Sequence, residues 1–93
     1  MRILVTGAAG QLGEALRPVL EPRHEVSWTD RDELDVRDLA ALRAWTRDQR
    51  PEAIVHLAAL TDVDACERQA EIAFEVNSLG ARYAALAARE CRA

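Results

Sequence analysis

The stretch that decides the fold is "ILVTGAAGQLGEAL", Ile3 to Leu16. It runs from a short apolar segment into Gly7, Gly10 and Gly13 and then into helix-forming residues. The apolar segment, Arg2 to Thr6, has no polar alternation beyond its ends, the pattern of a strand covered on both faces. Gly7 ends it. Leu12, Leu16, Val19 and Leu20 then recur at helical spacing, so Gln11 to about Glu21 reads as an amphipathic helix. Pro18 falls inside that pattern; it lacks an N–H and clashes with the preceding turn, which predicts a kink or an early end.

Outward from this stretch, Glu25 to Thr29 ("EVSWT") reads as a second strand. The polar run "DRDELDVRD" is turn-like, and its last residue, Asp38, is suited to cap a helix carrying Leu39, Leu42 and Trp45 on one face. Pro51 closes that helix. Ala53 to Ala58 ("AIVHLA") is a third strand, with the doubly buried look of the first. Beyond "ALTDVDACE", which has room for a short helical turn, Ile72, Val76, Leu79, Tyr83 and Leu86 line one face of a long helix running nearly to the end. Alternating strands and helices predict an α/β fold: a Rossmann-like parallel sheet of three strands with right-handed crossovers and helices on both faces. In the dinucleotide-binding arrangement the strands would lie in the order 3-2-1, the first carrying the glycine loop.

At 93 residues the chain suits one small domain, and residues 1–93 are read as the N-terminal part of such a fold, ending before its fourth strand. The hydrophobic content of 49% and the scarcity of aromatics fit a globular, helix-rich chain. No apolar run is long enough to span a bilayer, and "MRILVTG" lacks the features of a secretory signal, so the expected location is the cytoplasm and no membrane partner is expected. The net charge of −4, with acids and bases interspersed, argues against nucleic acid as a partner. Cys66 and Cys91 have no metal-ligand spacing and read as reduced thiols, so no metal site is expected. All 12 basic residues are arginine.

Gly7, Gly10 and Gly13 form G-x-x-G-x-x-G between a strand and a helix. The same glycines would also serve a bare turn, but the context matches a physical need. A dinucleotide site uses one glycine for the turn, a second for close approach of a pyrophosphate and a third for helix–strand packing. The N–H groups opening the helix would then face the anion. At the end of the second strand, Asp30 stands where a carboxylate would accept hydrogen bonds from a ribose, though it suits a solvated turn equally well. Arg31 beside it could pair with a 2′-phosphate, so NAD and NADP both remain open.

Four segments in order, "TGAAGQLG", "ELDVRD", "VHLAALTDVDACE" and "AFEVNSLG", resemble the extended short-chain dehydrogenase/reductases, and most closely the dTDP-4-dehydrorhamnose reductases of dTDP-L-rhamnose synthesis. The resemblance implies an oxidoreductase that reduces a 4-keto sugar nucleotide by hydride transfer from NADP or NAD. It implies that Gly10, Gln11 and Leu12 hold the phosphates and Asp30 the ribose. Asp35 and Val36 would lie near the adenine; Ala59, Leu60 and Thr61 would pass beside the cofactor; and Asn77 would support the active site. His56 and Leu60 stand where these reductases often have Asn and an aromatic or His. A lone His in a buried strand is assigned to the core.

The family's chemistry uses a Tyr with a Lys four residues later. Here Tyr83 is followed four positions on by Ala87, and there is no lysine. No catalytic residue is therefore assigned, and a sugar-nucleotide partner is expected only for a longer chain. A non-catalytic dinucleotide-binding or regulatory subunit, and a related epimerase or dehydratase, are the alternative functions. With the cofactor crevice placed between strands one and four, half of it would be missing, so weak cofactor binding is expected. The unpaired edge of the first strand would invite a homodimer.

Overall fold

A computed structural model describes residues 1–59 and 63–93. The elements are β1 (Arg2–Thr6), α1 (Gln11–Leu20), β2 (Glu25–Trp28), α2 (Leu39–Gln49), β3 (Ala53–His56), α3 (Val63–Arg68), α4 (Ala70–Phe74), a π-helical turn (Glu75–Leu79) and α5 (Gly80–Cys91). The three strands are parallel, as expected, but their order is β2-β1-β3 rather than 3-2-1. Ile3 pairs with Val26 on one side and with Ala53 on the other.

The reversal follows from where the crossover helices pack. Side chains alternate along β1, so Leu4 faces one way and Ile3 and Val5 the other. Leu20 of α1 packs with Ile3 and Val5. Leu42 of α2 and Ala87 of α5 pack with Leu4 instead, flanked by Trp45 and Tyr83. Two successive right-handed crossovers that place their helices on opposite faces must step in opposite directions along the sheet. The chain therefore passes back over β1 and lays β3 on its far side. Between β2 and α2, "ELDV" is irregular backbone whose Leu34 and Val36 are buried, Leu34 in the cluster of Leu4 and Leu42.

β1 thus has no free edge, and the expected homodimer through that edge is withdrawn; the unpaired edges belong to β2 and β3. Burial agrees with this placement. Leu4 and Val5 are sealed, whereas β2 and β3 are at most half-buried. Fully burying side chains such as Leu4 and Leu42 contributes roughly 1.5–3 kcal/mol each. β3 also stops at His56, so it is neither as long nor as buried as expected.

Local signals act as their chemistry requires. Asp38 caps α2 by accepting a hydrogen bond from the Ala41 N–H at 3.1 Å, and the helix closes with Arg50 in a left-handed conformation before Pro51. α1 does not end early: it continues through Pro18 to Leu20. Pro18 has no N–H to give the Glu14 carbonyl, yet the helix does not end there.

The expected long C-terminal helix runs unbroken from Ala70 to Cys91 as α4, the π-helical turn and α5, with helical backbone at each junction, and the short α3 precedes it. Two contacts hold this region to the "ELDVRD" segment. Arg37 donates from Nη1 to Glu75 Oε2 at 3.3 Å. A Cβ on Gly80 would lie 2.8 Å from Val36 Cγ2, so glycine permits the approach of α5.

Candidate functional site

A crevice of about 890 Å³ opens at the C-terminal ends of β1 and β3 and the start of α1, a volume suited to a small-molecule or cofactor site. It is lined by Gly7, Gly10, Gln11, Leu12, Gly13, Asp30, Arg31, Asp35, Val36 and Ala59, which brings together every described residue that the sequence assigned to cofactor binding. Leu60 and Thr61 lie outside the described residues. In parallel sheets, ligand crevices form where successive crossovers go opposite ways. Here that point lies between β1 and β3, so both walls are present and the crevice is not halved.

The glycines have three different reasons to be glycine. Gly7 has φ +66°, and a Cβ there would sit 2.5 Å from the backbone nitrogen of Ala58. A Cβ on Gly13 would collide with the Ala8 carbonyl oxygen, so α1 packs directly on the loop. Gly10 is constrained by neither. Its φ is −75°, and the nearest atom to a Cβ would be Gly7 O at 3.7 Å. The protein's own packing leaves this space open, and it is the space the second glycine of a pyrophosphate loop keeps free. No side chain caps α1 at Gly10, so the N–H groups of its first turn have no capping partner and its positive dipole end meets the crevice.

β2 is tied to this loop. The Ala8 N–H donates to Thr29 O at 2.9 Å, and Thr29 Oγ1 donates to Val5 O at 2.7 Å. These bonds set half-buried Asp30 at the rim. Its backbone N–H donates to Glu33 Oε2, while its carboxylate has no partner among the described residues. Arg31 is exposed beside it.

Asp35 is more constrained than sequence suggested. Arg37 donates to it from Nη2 at 2.8 Å, from Nε at 3.1 Å and from the backbone N–H at 3.0 Å. The Arg37 guanidinium holds the Asp35 carboxyl at about 2, against 3.8 ordinarily. Any ligand amine at Asp35 would share a carboxylate already engaged on both oxygens.

His56 corrects the reading made from sequence. It is half-buried and lines the crevice, with Nδ1 2.8 Å from Thr6 Oγ1. Burial pushes its imidazole below the usual range. Its place at the C-terminal end of a parallel strand, where such crevices open, was the available signal. Asn77 stands on the π-helical turn, a feature frequent at functional sites. Among the described residues no cluster could hold a metal ion, and no helix is long and apolar enough to cross a membrane.

The chain is 43% identical over 89 residues to a dTDP-4-dehydrorhamnose reductase of Streptomyces griseus, a match covering 95% of this chain and 29% of the relative. Its fold superposes on a dTDP-4-dehydrorhamnose reductase of Clostridium acetobutylicum with a TM-score of 0.94 at 36% identity, covering 98% of this chain and 33% of that one. The same enzyme of Bacillus anthracis, solved in complex with NADP, gives 0.93 at 34% identity, covering 99% and 33%. The chain thus spans about a third of the length of the relatives it matches. Because the family described as the RmlD substrate binding domain matches it over residues 1–93, the protein belongs to that family.

Proposed function

We propose that these 93 residues are the dinucleotide-binding part of an NAD(P)H-dependent dTDP-4-dehydrorhamnose reductase, which reduces a 4-keto sugar nucleotide in dTDP-L-rhamnose synthesis. The observation that carries this reading is Gly10: it leaves space that no atom of the described residues fills, at an uncapped helix N-terminus within a two-walled crevice. The N–H groups of Gln11 and Leu12 would hold the pyrophosphate. Asp30 would accept from the adenosine ribose, Arg31 would meet a 2′-phosphate, and Asp35 with Val36 would border the adenine. Ala59, with Leu60 and Thr61 after it, would pass beside the nicotinamide half. When bound, the cofactor supplies the hydride; the acid that completes reduction is not among these residues, which have no Tyr-x-x-x-Lys pair. Residues 1–93 as the N-terminal, partial Rossmann-like domain of an enzyme working in the cytoplasm, where a soluble dinucleotide and a sugar nucleotide meet, complete the reading.

Calorimetric titration with NADPH and NADH tests it. The expected result is saturable binding of at least one cofactor that is lost in Gly10→Ala. No heat from a folded sample at millimolar cofactor would overturn the reading.

A further inference from the structure

We infer that His56 is a neutral hydrogen-bond donor to the dinucleotide, presenting Nε2–H to an acceptor oxygen of the cofactor in the crevice. This rests on the reading of the crevice as a dinucleotide site. The argument begins at Thr6, whose side chain is fully buried. Its Oγ1 accepts the Ala58 N–H at 3.4 Å and lies 2.8 Å from His56 Nδ1. A hydroxyl has one proton to donate, and a buried donor without an acceptor is costly. Among the described residues His56 Nδ1 is the only acceptor within reach of the Thr6 hydroxyl, so Thr6 donates and Nδ1 accepts.

That direction determines the rest of the ring. An accepting Nδ1 carries no proton, so the neutral imidazole bears its proton on Nε2. The other tautomer would set two N–H groups on the Thr6 oxygen and leave its own proton unplaced. The imidazolium fails for the same reason, and burial opposes its charge as well.

Nε2 is then a donor without an acceptor among the described residues. It makes no hydrogen bond among the described residues, and it is absent from the buried unpaired atoms there, which are the indole nitrogens of Trp28 and Trp45. The ring lines the same crevice as Gly7 and Gly10. The Leu57 N–H donates to Thr6 O at 3.1 Å, so β1 and β3 hold the ring rigidly beside the loop. A neutral N–H donor suits the oxygens of a pyrophosphate or ribose, in a crevice whose charged lining includes Arg31 and Arg37 as well as Asp30 and Asp35.

Nitrogen-15 NMR of the unmodified protein at neutral pH tests the tautomer directly, with His24→Gln assigning the two imidazoles. The expected spectrum shows His56 protonated on Nε2 and unprotonated on Nδ1; the opposite pattern, or an imidazolium, would overturn the inference. On titration with NADPH, the His56 Nε2 signal is expected to move together with the Gly10 and Gln11 amides. Moving amides with a stationary Nε2 would overturn the role of His56 and leave the phosphate-loop reading intact; no movement anywhere would overturn both. His56→Leu is expected to weaken NADPH binding roughly tenfold and His56→Asn, which keeps an N–H donor, only a few-fold. Equal weakening by the two in folded samples would assign His56 to packing alone.

Discussion

Gly7 and Ala58 are in direct backbone contact: a methyl group on Gly7 would stand 2.5 Å from the Ala58 nitrogen. The glycine loop after β1 and the segment after β3 are therefore one wall-to-wall joint, made possible by a residue without a side chain. Gly10, three residues on, faces open space. This contrast separates the structural demand on the loop from the functional one.

Alanine substitutions at the two positions should divide stability from binding. Gly7→Ala puts a Cβ at positive φ and into Ala58, which should cost roughly 2–4 kcal/mol in urea unfolding. Gly10→Ala should change stability by less than about 1 kcal/mol and weaken dinucleotide binding by about tenfold or more. Equal loss of stability in both variants would show that Gly10 is a packing residue.

The approach of α5 to Val36 is open to a double-mutant cycle. Gly80→Ala gains about 1 kcal/mol of helix propensity but drives a Cβ to 2.8 Å from Val36 Cγ2, and a β-branched side chain yields little. Shortening Val36 to Ala should relieve the clash, giving a coupling of about 1 kcal/mol between the two sites. Additivity in thermal or urea unfolding would refute this contact.

Acid sensitivity should depend on Arg37. Asp35 is lowered in the folded chain from 3.8 to about 2, so the folded state binds its proton less readily than the unfolded state does. The resulting stability is present above pH 3.8 and is lost as the pH falls from 3.8 towards 2. Arg37→Gln should flatten the pH dependence of the unfolding midpoint in that window. An unchanged slope would mean that the pair is not maintained in solution.

Cofactor choice should turn on the two residues after β2. Arg31→Ala should weaken NADPH about tenfold while leaving NADH nearly unchanged, because only NADPH has a 2′-phosphate for a guanidinium. Asp30→Asn should act mainly on NADH by removing a charged acceptor from the ribose. Parallel titrations of both variants with both cofactors check this, and equal effects on the two cofactors in either variant would count against the assignment.

The residues whose roles could be read in advance are those governed by near neighbours along the chain. Asp38 is a cap because its oxygen reaches an N–H three residues on, and Gly7 ends β1 because the turn needs positive φ. Pro18 shows the limit of such reading, since it lies inside α1 and does not end it. His56 was assigned to the core because apolar neighbours in sequence do not reveal that its strand ends at an open crevice.

The sequence by itself determined the alternation of strands and helices, the glycine loop at the head of α1 and the acids after β2, because each depends on local backbone chemistry and periodicity. Only the tertiary structure decided the order β2-β1-β3, the second wall of the crevice, the π-helical turn and the pairing of Thr6 with His56. These depend on which face of β1 receives Leu42 and Ala87. That choice is made by packing between residues far apart in the chain, and the period of a buried strand looks the same whichever face its helix will cover.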